Sequence, residues 1–149
     1  MPIFRAHGTD TPREPYRFGE EGTCFYDTIV KFINLRYRLL PYIYSLAGMV
    51  SHDNYTMLRA LAFDFLHDEK TYNINDQYMF GPAFLVNPVT SHMYYESNSR
   101  QLNGVKKSRP VYLPAGSIWY DFWTNAVYKG GTVIEADASI DIMPLFVRS

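Results

Sequence analysis

The chain opens with Met1-Pro-Ile-Phe-Arg-Ala-His-Gly-Thr-Asp10, and this stretch decides the fold class that we predict. The pair Ile3-Phe4 is typical of the end of a strand, and Gly8 allows the chain to turn with a positive φ. Arg5 and His7 therefore lie where a strand passes into a loop. Because an α/β barrel places its working side chains at such strand ends, the stretch predicts a barrel strand that carries functional residues.

A long helix is predicted outward from this turn. Apolar residues recur at helical spacing over about residues 26–50. Pro41 lies inside this pattern and removes one helical hydrogen bond, so we expect either a kink or two abutting helices. Residues 57–65 then form a short apolar run between polar turns, which is typical of a buried strand. The resulting order over residues 1–65 is strand, helix and strand.

The pattern changes after residue 80. Residues 76–80 fit a short helix that Gly81-Pro82 ends, and residues 84–89 fit a strand. From there, short apolar runs alternate with turn signals, which favours antiparallel strands in a sandwich. We therefore predict a domain boundary at residues 81 and 82.

Length and composition limit what the chain can be. Its 149 residues can bury one core but are fewer than the roughly 250 of a complete eight-stranded barrel. The formal net charge is −1 and no basic run stands out, so we expect no nucleic acid partner. No stretch of about 18 apolar residues occurs, so we expect no membrane segment. Cys24 is the single cysteine, which excludes an internal disulfide.

Five blocks of sequence carry a resemblance to a known family. The blocks are Phe4-Arg-Ala-His-Gly8, Leu35-Arg-Tyr-Arg-Leu-Leu-Pro-Tyr-Ile-Tyr44, Asp76-Gln-Tyr-Met-Phe-Gly-Pro82 with Leu85-Val-Asn-Pro-Val89, Val111-Tyr-Leu-Pro-Ala-Gly116 with Trp119-Tyr-Asp-Phe-Trp123, and Ile142-Met-Pro-Leu-Phe-Val-Arg148. Together they resemble glycoside hydrolase family 31, the family of retaining α-glucosidases and α-xylosidases. Residues 91–108 are the least informative part of the resemblance.

The resemblance implies a fold and an activity. Residues 1–81 would be the C-terminal part of a (β/α)8 or TIM barrel, that is, an α/β barrel fragment. Residues 82–149 would be the first part of an antiparallel β-sandwich. The protein would hydrolyse terminal α-xylosyl or α-glucosyl residues. The sequence around residues 45–56 resembles the α-xylosidases of xyloglucan type more than the starch-acting members. The nucleophile and acid/base aspartates would lie on earlier barrel strands, so no catalytic residue is expected in this chain.

The resemblance also implies which residues contact the substrate. His7 matches the histidine that hydrogen-bonds a sugar hydroxyl in this family, and a neutral imidazole can both donate and accept such bonds. The alternative is that His7 bonds the backbone of its own loop. Arg5 is the second substrate-binding candidate, although it could equally pair with a structural acid.

Other acids and histidines favour structural roles. Asp64 is predicted to end the second strand, but as a lone carboxylate between aromatic residues it favours a structural role. Asp68 and Asp76 lie where aspartate caps helices. The remaining histidines, His52, His67 and His92, lack metal-ligand spacing, so we expect neither a metal nor a cofactor.

The aromatic residues of segment 119–123 could form a platform for a sugar. Alternation along a strand would send Trp119 and Trp123 to one face and Tyr120 and Phe122 to the other, so one of these faces must lie in the core. We therefore favour packing over sugar binding for this segment.

Three interpretations follow for the chain as a whole. The first is part of a retaining α-glycoside hydrolase, whose partners would be a carbohydrate substrate and the upstream barrel portion of the same polypeptide. The second is a carbohydrate-binding β-sandwich module with a helical extension. The third is a non-catalytic structural piece, which would leave a large apolar face exposed in the isolated chain.

Overall fold

The computed structural model describes residues 7–149, so the predicted strand around Ile3 and the side chain of Arg5 lie outside the described residues. The chain divides into two compact units, Met1–Tyr55 and Thr56–Ser149. Each is described below by itself.

The first unit is helical. After a 3-10 turn at Pro15–Arg17, α1 spans Cys24–Arg38 and α2 spans Leu40–Asp53. Pro41 lies in the first turn of α2, where a helix has no use for the missing amide. The two abutting helices expected from Pro41 are confirmed. The left-handed residue Asn54, with φ of 52°, then ends α2.

The second unit is built on two antiparallel sheets. Its strands are β1 (Leu58–Ala60), β2 (Tyr78–Phe80), β3 (Phe84–Val86), β4 (Ser108–Leu113), β5 (Ile118–Asp121), β6 (Val127–Lys129), β7 (Thr132–Asp137) and β8 (Leu145–Arg148). Six of them form one sheet in the order β1-β2-β3-β8-β5-β6, and β4 pairs with β7 in the other. The predicted antiparallel sheet is confirmed.

The predicted strand over residues 57–65 is too long. Strand β1 ends at Ala60, and a single helical turn, α3, spans Leu61–Asp64. Leu61 is 0% exposed and Phe65 is 5% exposed, so both reach the core across a corner in the chain. An apolar run buried through a corner has the same composition as a buried strand, so the pattern alone could not separate the two.

The predicted short helix over residues 76–80 is wrong. Residues Tyr78–Phe80 form β2, which pairs with both β1 and β3. A five-residue helix forms too few internal hydrogen bonds to hold itself, whereas a central strand has two neighbours. Gly81 has a φ of 62°, and the chain turns there between β2 and β3. This hairpin crosses the predicted domain boundary at residues 81 and 82, and the boundary stays a prediction.

One apolar cluster forms the core of the second unit and draws on both sheets. Trp119, Phe146 and Leu85 enter it from the six-stranded sheet, and Val111 and Leu113 enter it from β4. All five are 0% exposed. The two sheets therefore share one interior.

Within the aromatic segment 119–123, Trp119 is buried, Phe122 and Trp123 are partly buried and Tyr120 is exposed. Trp119 is fully buried and its indole N–H donates to the carbonyl of Pro114 at 2.9 Å, which confirms the packing role predicted for it. The predicted alternation of side chains between the two faces is wrong beyond Asp121, where β5 ends. There the carboxylate of Asp121 accepts the amide of Trp123 at 2.8 Å. Because this turn replaces the strand, Phe122 and Trp123 contact each other edge-on with ring centroids 5.1 Å apart.

A glutamine side chain links the strand β4 to the chain before β2. Gln77 Nε2 donates to the carbonyl of Tyr112 at 2.8 Å, and the amide of Tyr112 donates to Gln77 Oε1 at 3.0 Å. These are the two bonds that a neighbouring strand would make with Tyr112. Pro110, which lies two residues before Tyr112 on β4, has no N–H to donate. The outer edge of β4 is therefore largely satisfied.

Candidate functional site

His7 is the first described residue and its side chain is exposed. The turn that follows it requires glycine, because a Cβ at Gly8 would lie 2.2 Å from the carbonyl oxygen of Thr11 and 2.8 Å from Nε of Arg13. Asp10 continues the bend with a φ of 59°. The exposed side chain of His7 lies at the start of this tight loop. The substrate-binding roles of His7 and Arg5 stay predictions.

Asp64 belongs to an ion pair at the corner after β1. Arg59 Nε lies 2.9 Å from Oδ2 and 3.2 Å from Oδ1 of Asp64, and both side chains are partly buried. The same guanidinium donates to Thr56 Oγ1 at 3.2 Å and lies over the ring of Phe63 at 5.5 Å. Asp64 closes α3 rather than a strand, so its predicted position was wrong. The ion pair supports the structural role favoured for this carboxylate.

Asp76 does not cap a helix, because no helix follows it. Its carboxylate instead pairs with Arg109, whose side chain is 8% exposed. The guanidinium of Arg109 also donates to the carbonyls of Pro88 and Asp76. Arg109 is thus a buried cation with its donors occupied. No local pattern indicates this pairing, because the two residues lie 33 positions apart.

Asp68 occupies the N-cap position of the 3-10 turn Glu69–Thr71, and its carboxylate also bonds outside that turn. It accepts the hydroxyl of Tyr112 at 2.7 Å and the amide of Ala115 at 2.8 Å. Partial burial by itself would raise the pKa of Asp68. The bonds from Ala115, Tyr112 and the Lys70 amide, with the charge of Lys70, outweigh burial and hold this pKa below 3.8.

Tyr112 responds to the same contact in the opposite sense. Burial, the hydrogen bond to Asp68 and the charge of Asp68 raise the pKa of the Tyr112 hydroxyl to about 12. The pair is therefore a hydrogen bond between residues 44 positions apart, in which the carboxylate of Asp68 stays ionised and the phenol of Tyr112 stays neutral. It fixes the turn at Ala115 through Oδ2 of Asp68, which accepts both bonds.

None of these acids forms the carboxylate pair of a retaining glycosidase. That mechanism needs two carboxyl groups about 5 to 5.5 Å apart, one attacking the anomeric carbon and one protonating the leaving oxygen. Among residues 7–149, Asp64 and Asp76 each face an arginine, and Asp68 faces a phenol and an amide. These contacts suit structural roles for all three.

Over residues 7–149, no three side chains of His, Cys, Asp or Glu converge as metal ligands would. The helices of this range are also too short or too polar to cross a bilayer.

Three structural partners were missed at the sequence level. Arg59 and Arg109 pair with the aspartates, and Gln77 bonds β4. Arg59 interrupts the apolar run over residues 57–65, and a charge inside such a run is the one signal that could have indicated a buried partner. Gln77 and Arg109 lie where polar and apolar residues are interspersed, so neither stands out as a buried polar residue.

Comparison with known families matches both parts of the chain. The model of the glycosyl hydrolases family 31 TIM-barrel domain matches residues 1–46, and that of the glycosyl hydrolase family 31 C-terminal domain matches residues 54–149. The second match alone covers more than half of the chain.

Individual relatives agree with this assignment. An alpha-xylosidase from Saccharolobus solfataricus is 45% identical over 148 residues, which are 99% of this chain and 18% of that protein. Neutral alpha-glucosidase C from Mus musculus is 35% identical over 151 residues, which are 99% of this chain and 15% of that protein. The crystal structure of a GH31 alpha-xylosidase from Xanthomonas citri matches with a TM-score of 0.85 and 49% identity, over 99% of this chain and 15% of that one.

The chain thus spans 15–18% of the length of these relatives. Both domain models and the relatives agree with the five sequence blocks, and the predicted resemblance is confirmed. The chain belongs to glycosyl hydrolase family 31.

Proposed function

We propose that these residues are part of a retaining α-glycoside hydrolase that removes terminal α-xylosyl or α-glucosyl residues from oligo- or polysaccharides. The observation that carries this proposal is the similarity, over 99% of the chain, to relatives named as alpha-xylosidases and alpha-glucosidases. The higher identities, 45% and 49%, are to alpha-xylosidases, which favours xylose over glucose.

The same proposal assigns a place in the larger fold to each unit. The helices α1 and α2 would belong to the end of the TIM barrel, and the two antiparallel sheets would form the β-sandwich that follows it. The match of residues 1–46 to the barrel-domain model supports the first assignment. The interior shared by the two sheets supports the second.

His7 and Arg5 would contact the sugar on the non-reducing side of the cleaved bond. Support for His7 comes from its exposed side chain and from the glycine-dependent turn that fixes the loop behind it. An imidazole at this place can donate to one hydroxyl and accept from another. The nucleophile and the acid/base would be supplied by barrel strands that precede these residues.

The proposal is tested with two polypeptides, the full-length protein and the 149-residue chain alone. We expect the full-length protein to release the aryl group from aryl α-xylosides or α-glucosides with retention of configuration. We expect the chain alone to release none, because Asp64 and Asp76 each pair with an arginine and not with a second carboxylate. Turnover by the chain alone that Asp64→Asn abolishes would contradict this assignment, and a full-length protein inactive on both substrates would contradict the function.

A further inference from the structure

Residues 94–102 form a small hairpin within the long connection between β3 and β4. The amide of Leu102 donates to the carbonyl of Tyr94 at 2.8 Å, and the amide of Glu96 donates to the carbonyl of Arg100 at 2.8 Å. An antiparallel bridge between Tyr95 and Gln101 lies between these two bonds. The segment is therefore an ordered projection. Ordered long connections are more often functional than incidental.

The base of this hairpin is fixed to the body of the second unit. Met93, just before it, is 6% exposed. The hydroxyl of Tyr94 accepts the amide of Ile140 at 2.8 Å. Lys107 lies over the ring of Tyr94, with Nζ 4.0 Å from the ring centroid, and donates to the carbonyl of Met93. The hairpin is held from its base, so its tip is presented in a fixed position.

The tip has an uncommon backbone and unused polar side chains. Asn98 and Ser99 have φ of 64° and 58°, and two consecutive left-handed residues other than glycine are costly. Asparagine adopts this conformation readily, as Asn54 does at the end of α2, so Ser99 is the more unusual of the two. Within residues 7–149, the side chains of Ser97, Asn98 and Ser99 make no hydrogen bond.

The chemistry of the hairpin surface suits a neutral, hydroxyl-rich ligand. Tyr95 is 45% exposed and offers a flat apolar ring with a polar end. Glu96 and Arg100 form an ion pair, so the hairpin carries no net charge. The Arg100 side chain is still 74% exposed and keeps donors for a ligand. Tyrosine, serine and asparagine on a rigid loop are also the residues that recognition loops favour.

We propose that the 94–102 hairpin binds a neutral glycan chain, with Tyr95 stacking on a sugar ring and Asn98 and Arg100 bonding its hydroxyls. The choice of a glycan rests on the proposed function. The hairpin would hold a polymeric substrate outside the cleavage site, so its loss should affect polysaccharides and spare small aryl glycosides.

The test uses the full-length protein and the variant Tyr95→Ala, with Tyr120→Ala as the matched control. Tyr120 is 40% exposed, close to the value for Tyr95, but lies on β5. Each protein is run in native gels that contain soluble xyloglucan or soluble starch, and kcat/KM is measured on an aryl α-xyloside and an aryl α-glucoside. We expect Tyr95→Ala to weaken retention by at least one of the two polysaccharides by about 5- to 10-fold, as loss of one stacking contact should. Tyr120→Ala should match the parent, and kcat/KM should be unchanged in both variants.

The outcomes separate this proposal from the function. Retention that depends on Tyr95 in a protein without glycosidase activity would support the hairpin site and contradict the proposed function. Equal retention of the parent and Tyr95→Ala, no retention of the parent in either gel, or an equal loss in Tyr120→Ala would overturn the hairpin site.

A second variant tests the left-handed backbone at the tip, Asn98 and Ser99, and removes only the hydroxyl of Ser99 from the hairpin surface. Ser99→Gly should raise the melting temperature slightly, because glycine adopts a positive φ at no steric cost. It should also weaken retention by about 2- to 3-fold, because the tip loses its fixed geometry. The control is Asn125→Gly, at another left-handed position with φ of 61°. Retention in Ser99→Gly equal to that of this control would overturn the role given to the tip.

Discussion

The two units of the chain differ in how much interior they possess. In the first, α1 has no buried residue, and Ile43 and Leu46 are the buried residues of α2. In the second, Trp119 and Phe146 are 0% exposed within one cluster fed by both sheets. The described substrate-binding candidate, His7, lies in the first unit. Within residues 7–149, the unit that holds His7 therefore buries few side chains, whereas the unit built on the two sheets has a core.

The largest expected effect on the difference between the two units is the loss of stability on replacing Trp119. We expect Trp119→Ala to lower the free energy of unfolding by about 3 to 5 kcal/mol, because it opens a cavity and removes the bond to Pro114. Urea unfolding of the chain followed by circular dichroism measures this. Tyr44→Ala is the control in the first unit, where the side chain is 83% exposed and the expected change is within about 0.5 kcal/mol. Similar losses in the two variants would contradict the contrast.

Gln77 tests whether polar contacts also hold the second unit together. Gln77→Met keeps the length of the side chain but leaves the buried amide and carbonyl of Tyr112 without partners. We expect a loss of about 2 to 3 kcal/mol in the free energy of unfolding. Gln101→Met, at an exposed glutamine, should change it little. If both variants unfold at the same urea concentration, the link between Gln77 and β4 contributes nothing to stability.

His7 tests the other side of the contrast, where function should change and stability should not. In the full-length protein, His7→Ala should reduce kcat/KM by roughly 5- to 150-fold, or about 1 to 3 kcal/mol, since one partner of a sugar hydroxyl is lost. The loss should be smaller for the deoxy sugar that lacks this hydroxyl. His67→Ala, at an exposed histidine of the second unit, is the control. A lower melting temperature with unchanged activity per folded molecule would make His7 a loop-stabilising residue.

The Asp68 and Tyr112 pair gives the smallest expected effect, a change of stability with pH. Since the folded pKa of Asp68 is lowered, its contribution is present above the unfolded value near 3.8 and is lost as the pH falls below it. Since the folded pKa of Tyr112 is raised from 10.0 to about 12, its contribution is lost as the pH rises across that interval. Melting temperatures between pH 2 and pH 12 measure both.

The control for this pair is Tyr112→Phe, which keeps the buried ring. It should remove the Tyr112 part of the alkaline loss and weaken the acid loss, because Asp68 keeps only its amide partners. An unchanged alkaline profile in Tyr112→Phe would mean that other groups set the stability there.

Sequence reasoning placed the break at Pro41 but missed both a local turn and a strand set by distant pairing. Pro41 placed the break between α1 and α2, because a proline acts on its own turn. The turn at Asp121 was missed, although it depends on a side chain only two residues from the amide that it binds. The helix expected at residues 76–80 became β2 because pairing with β1 and β3 overrides weak local preference.

The candidate site divides in the same way. His7 and Gly8 could be singled out because a histidine and a glycine at a strand end are a local signal. The partners of Asp64, Asp68 and Asp76 could not all be found, because two of these contacts join residues more than 30 positions apart. Their structural roles follow from the fold and not from any spacing along the chain.

The bidentate contact of Gln77 with Tyr112 has a consequence for aggregation. Gln77 bonds the outward-facing amide and carbonyl of Tyr112 on β4. In the two-stranded sheet, the free edge at which another chain could add by backbone pairing is therefore that of β7. The exposed residues of β7 include Val133, which would favour such pairing, and Glu135 and Asp137, which would oppose it between identical chains. Asp137 is therefore the acidic residue of β7 that opposes pairing of identical chains most directly, since Glu135 already pairs with Lys106 and Ser108. Protonation of Asp137 in acid would weaken this opposition at the β7 edge.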